Sequence, residues 1–161
     1  MRGGVLPPAM LFVALGLALA FAPRRAWVPS FLALFATLGA CTLLPVPHAW
    51  LEGVFLGCWI TVIVTAANVH LVRGLPSWAA LALSVNTGVW ASAVVSVSGS
   101  RLDLLTALPC VLILLPASWV VARRAPIAVK VVSSWGIAVA VLAATLQLLP
   151  VTPGYLPDHL E

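Results

Sequence analysis

Apolar residues dominate the chain in long runs, interrupted by short turns of arginine, proline, glycine and single acids. A helix crossing a bilayer needs about 20 mainly apolar residues. Six runs meet that need, at roughly 5–22, 27–44, 51–72, 76–98, 102–122 and 127–149. The pattern predicts an all-α integral membrane protein, one polytopic domain over residues 1–161 built as a bundle of six transmembrane helices with short loops. Connections of a few residues make consecutive helices antiparallel neighbours. Residues 150–161, rich in proline and polar side chains, form a short tail on the outer side.

Within the runs, small and polar positions have their own spacing. Small residues let helix backbones approach closely in lipid. The fourth run carries Ala80, Ser84, Gly88, Ser92 and Ser96 every four residues, a helix-packing ridge expected to put this helix at the centre of the bundle or at an oligomer contact. Gly136, Ala140 and Ala144 in the sixth run, and Gly53 with Gly57 in the third, are weaker versions of the same signal. The third run also carries a polar stripe, Cys58, Thr61, Thr65 and Asn68, with His70 just beyond. Its spacings keep these four residues on one helical face. Asn86 and Thr87 of the fourth run are placed to meet that face.

An amide in hydrocarbon is costly unless it is hydrogen-bonded. Asn68 and Asn86 therefore require partners inside the bundle. The stripe reads functionally as a polar lining for a small solute. It reads structurally as interhelical hydrogen bonding worth roughly 0.6 to 2 kcal/mol per pair. The structural reading is the stronger, because Ser and Thr can also bond to their own helix backbone.

Charge adds an orientation. Arg24 and Arg25, then Arg73, then Arg123, Arg124 and Lys130 occupy every second connection. Glu52, Asp103, Asp158 and Glu161 lie in the alternate connections or the tail, and Arg2 and Arg101 complete the bases. Lys and Arg mark cytoplasmic loops, while acids count for little. Both termini are therefore expected on the outer, periplasmic side of a plasma (inner) membrane. Trp27 and Trp78 fall at the cytoplasmic boundary and Trp50 at the outer one, as an aromatic belt would. Arg2 and the first run resemble a signal peptide, but the run continues into Pro23-Arg24-Arg25, which marks a retained first span.

The three basic turns each place a proline near the start of the next helix: Pro29, Pro76 and Pro126. Proline suits a first helical turn, where its missing N–H is not needed. A threefold hairpin repeat is one explanation; selection for arginine and proline in any cytoplasmic hairpin is the stronger. A three-plus-three inverted repeat fits the helix parity, but the halves share no residue pattern.

Composition narrows the classes. Charged residues make up 7% of the chain and hydrophobic ones 63%, against roughly 25% charged in soluble domains. The partners expected are the lipid bilayer and either further copies of the chain or a larger membrane protein. The bases form no patch or basic helix, which argues against nucleic acid. Cys41, Cys58 and Cys110 form no CxxC pair and read as small buried hydrophobes. Nucleophile, phosphate-loop and zinc-protease motifs are absent from the sequence. His70 is the one histidine near a span, and haem ligation needs two facing histidines, so no cofactor is expected. Lys130 sits about one turn inside a helix end, shallow enough to snorkel outward.

The outer face holds the densest chemistry: His48, Glu52, Arg101 and Asp103, with Asp158 and His159. A metal site of His48, Glu52 and His159 is the minor reading. Loop solvation, with Glu52 and Asp103 at helix N-termini, is the major one. Three functions follow in order. The first is a membrane transport component, either a small permease or the membrane subunit of a transporter. The second is an accessory subunit of a larger membrane complex. The third is an integral-membrane enzyme with its site on the outer face.

Overall fold

The computed structural model of the protein describes residues 5–43, 47–71, 74–98 and 101–148, without the side chains of His48, Ser98 and Arg101. Its α-helices are α1 (Leu6–Leu19), α2 (Trp27–Cys41), α3 (Leu51–Ala67), α4 (Ser77–Ser98), α5 (Arg101–Ala107), α6 (Leu114–Ala122) and α7 (Pro126–Leu148). Short 3-10 turns lead into α2 (Arg24–Ala26) and α3 (His48–Trp50), extend α3 (Asn68–His70), and join α5 to α6 (Leu108–Ile113). The described residues thus make six helical segments and contain no strand. Four segments are long and apolar enough to cross a membrane: Leu51–His70, Ser77–Val97, Leu102–Ala122 and Pro126–Leu148. The first two helices are shorter, 14 and 15 residues.

Proline explains the break in the fifth segment, read from sequence as one continuous helix. Pro109 lacks the N–H that would bond to Leu105, and Pro116 lacks the one that would bond to Leu112. An α-helix that loses such bonds kinks or tightens, and here the turns between them are 3-10. Pro7 and Pro8, by contrast, occupy the first turn of α1, where nothing is lost.

The core is built around α1. Leu11, Phe12, Leu15 and Leu19 are completely buried, and the buried positions run round the whole circumference of the helix. A helix that is apolar on every side is stable when every side is covered. α1 packs against α3, α4, α6, α7 and the Leu108–Ile113 segment. Gly16 permits the closest of these approaches. A β-carbon there would lie 2.8 Å from the Val111 carbonyl oxygen and 2.7 Å from Ile113 Cγ2. The small-residue ridge brings α2 close to α4, which also packs on α3 and α1, while α1 fills the middle.

Sequence neighbours are not always packing neighbours. α2 packs chiefly on α4 rather than on α1 or α3, which flank it in the chain. The reason lies at Gly88, where a β-carbon would clash with Thr37 Oγ1 and sit 3.2 Å from the Leu34 carbonyl oxygen. Close backbone approach on α4 outweighs the tether of the connection. At the other side α7 packs on α3, and Ser133 donates to the Ala66 carbonyl at 2.8 Å. Only 17% of the apolar window of α7 is buried, so most of its surface faces outward.

The basic turns differ in construction. In the first, Trp27 Nε1 donates to the Leu19 carbonyl at 3.1 Å. Phe21 then accepts from the Leu75 N–H at 3.2 Å, tying the end of α1 to the turn before α4. In the third, Arg124 adopts φ +61°. Its N–H bonds to Val121 and the Ala125 N–H to Val120, the paired bonds of a Schellman stop. The Arg123 guanidinium lies 4.0 Å from the centre of the Trp119 ring. Arg73 of the second turn lies outside the described residues.

Candidate functional site: a lateral groove between α3 and α4

The polar stripe of α3 divides into two environments. Cys58 and Thr65 are completely buried, and Thr61 nearly so. Thr61 nevertheless borders a groove on the outside of the bundle, together with Asn86 of α4. The Asn86 amide donates to Thr61 Oγ1 at 3.4 Å. Thr87, next in the chain, is completely buried and lies on a different face of α4 from Asn86. Asn68 turns back on its own helix and donates to the Val64 carbonyl at 2.8 Å. His70 stands 3.3 Å from the Ser134 hydroxyl of α7.

Thr65 and Thr87 have hydroxyls with no hydrogen-bond partner among the described residues, as do Ser30 and the Trp59 indole. Sealed in this way, they line no open cavity. The six residues proposed as one lining are thus not one surface: Thr61 and Asn86 reach the groove, while Cys58, Thr65 and Thr87 point into packed core.

The groove has two parts that share Gly53 and Trp90. One, of about 550 Å³, is bordered by Pro47, Trp50, Val54, Val89 and Ala93. The other, of about 470 Å³, is bordered by Leu56, Gly57, Ile60, Thr61, Val64 and Asn86. Trp90 borders both, with the distal edge of its indole against Gly57, where a β-carbon would clash with the ring and come within 2.7 Å of its Cζ2. The GxxxG of α3 therefore receives a tryptophan through its second glycine. Its first, Gly53, is open, with nothing within 4 Å of a β-carbon.

The ridge of α4 is buried from Ala80 through Ser92 and emerges at Ser96. Its serines bond along their own helix: Ser84 to Ala80 at 2.9 Å, Ser92 to Gly88 at 2.7 Å and Ser96 to Ser92 at 2.8 Å. Ser92 also approaches the Leu38 carbonyl of α2 at 3.4 Å. The donors of these serines are therefore used within the bundle.

At the N-terminal end of α3, Glu52 and Gln147 border a cavity of about 170 Å³ between α3 and α7. Glu52 and Asp103 stand in the first turns of α3 and α5, where the helix N-terminus favours an acid. The side chains of His48 and Arg101, together with Asp158 and His159, lie outside the described residues. Among the described residues no three metal-ligating side chains gather. Sequence reasoning missed Gly16 and Trp90. Gly16 had a signal, a glycine within the alanine-rich first run; the seating of Trp90 on Gly57 had none. Comparison of the chain with protein-family models, curated proteins and solved structures finds no match.

Proposed function

We propose that the protein is a polytopic subunit of an assembly in the plasma (inner) membrane, with both termini outside, and that it works through its packing surfaces. One observation carries this reading. The centre of the bundle, where a lone permease would hold its path, is filled by the buried side chains of α1. Polar atoms in the interior bond within the bundle or are sealed, and the open surfaces are apolar and face outward. If the assembly transports a solute, the path lies between chains.

Native mass spectrometry of the protein released gently from its own membrane tests this. The expected result is a stoichiometric assembly, either with other chains or with further copies of this one. A monomer under every extraction condition, accompanied by solute flux in liposomes holding the purified chain alone, would overturn it.

A second reading, solute binding in the lateral groove, draws on the Thr61–Asn86 pair bordering it. It requires that Asn86→Leu abolish uptake in a protein that remains folded.

A further inference from the structure

We propose that the α3–α4 groove is the docking face for a second copy of this chain, with the two Asn86 amides paired across a twofold axis. This rests on the membrane reading above. Asn86 lies nine residues from the start of α4 and twelve from its end, about 14 and 18 Å at the helical rise. That places it near mid-depth of a hydrocarbon layer about 30 Å thick.

A primary amide offers two donors and two acceptor lone pairs. Among the described residues Asn86 makes one hydrogen bond, the 3.4 Å contact with Thr61. Its surroundings are open on the groove side, where Ile60, Val64, Val85 and Val89 are between 38% and 50% exposed. Lipid supplies only acyl chains at that depth, and these cannot complete the amide. The groove therefore needs an occupant with a hydrogen-bonding side chain at the same height.

A second copy related by an axis along the membrane normal brings its own Asn86 to the same height. An amide is self-complementary, so the pair exchanges two hydrogen bonds. A twofold interface places the same patch on both sides. The antiparallel α3–α4 pair of each copy then forms half of a four-helix bundle, and the four exposed aliphatic residues fill its core.

The test uses the full chain, purified and reconstituted in phosphatidylcholine–phosphatidylglycerol vesicles. Single-molecule photobleaching reads the dimer fraction against protein density. A photo-crosslinking amino acid at Val89 reads the face, with Leu142 on α7 as control. Expected are dimers, crosslinks at twice the chain mass from Val89 and none from Leu142, and a dimerisation constant weakened about 3- to 30-fold by Asn86→Leu. Asn86→Gln, which keeps the amide, restores part of the loss. Monomers at every density, or dimers indifferent to Asn86→Leu, overturn the proposal. So do dimers crosslinked through Leu142 and not Val89, or a native assembly in which Val89 crosslinks only to a different chain. The last two outcomes leave the subunit reading standing, whereas a monomer in vesicles and in the native membrane removes both.

Discussion

Gly88 of α4 lies so close to Thr37 of α2 that a β-carbon at position 88 would clash with the threonine hydroxyl oxygen. Thr37 cannot swing clear cheaply, because that hydroxyl donates to the Ala33 carbonyl at 2.8 Å and approaches the Leu34 carbonyl at 2.9 Å. Two helices that are not consecutive are thereby held together by the absence of one side chain. Gly88→Ala should lower stability by about 1–3 kcal/mol, the usual cost of overpacking, and Gly88→Leu by more. Thermal unfolding in a fixed detergent reads both. An unchanged midpoint for Gly88→Leu would mean that α2 does not rest on this ridge.

The glycines should rank by what surrounds them. At Gly16 the neighbours include the backbone at Val111 and Leu114, which cannot rotate away. At Gly57 the neighbour is the Trp90 ring, a side chain that can move. At Gly39 and Gly136 nothing lies within 4 Å. Alanine substitution should cost most at Gly16, less at Gly57, and nothing at Gly39 or Gly136, where helix propensity gains up to about 1 kcal/mol. The order of the four unfolding midpoints checks this.

Thr65 and Thr87 separate the packing account from a solute path. Their hydroxyls are buried and have no hydrogen-bond partner among the described residues, and a buried polar group without a partner costs about 1–3 kcal/mol. Thr65→Val and Thr87→Val remove that cost with little change of shape. Each should leave stability unchanged or raise it by about 1 kcal/mol, with the cellular phenotype intact. Loss of function with retained folding in either variant would return these hydroxyls to a pathway.

Arg124 ends α6 in the left-handed region, which costs an L-residue roughly 1–2 kcal/mol relative to glycine. Arg124→Gly should raise the unfolding midpoint. Arg124→Val, branched at the β-carbon, should lower it. On the proposed orientation Arg123 and Lys130 still mark the cytoplasmic side, so a reporter fused at the C-terminus should keep its orientation in Arg124→Gly.

Helix count was legible because hydrocarbon imposes long apolar runs and turns concentrate Arg, Pro and Gly. Helix order in space was not. Where lipid replaces water, an apolar side chain facing outward and one facing the core look alike in sequence. α1 and α7 are both strongly apolar, yet Leu15 is completely buried and Val131 is 62% exposed. Small residues were the better guide, since Gly88 marks a real close approach, whereas a β-carbon added at Gly53 or Gly136 would meet nothing within 4 Å. The stripe of α3 meets different surroundings for a related reason: one helical face spans several neighbours, so Thr61 borders the groove while Thr65 is buried in the core. Pro109 and Pro116 were plain in the sequence, but the packing of the 3-10 segment between them on Gly16 of α1 was not.

The central claim is a bundle immersed in lipid and organised around α1. It is tested most directly by labelling the reconstituted protein with a carbene probe confined to the acyl-chain region and locating the modified residues by mass spectrometry. The account predicts labelling at Leu32 of α2 and at Val131 and Leu142 of α7, which are 60% or more exposed, and none at Leu11 or Leu15. Labelling of α1 as heavy as that of α7, or no labelling of any helix, would contradict it.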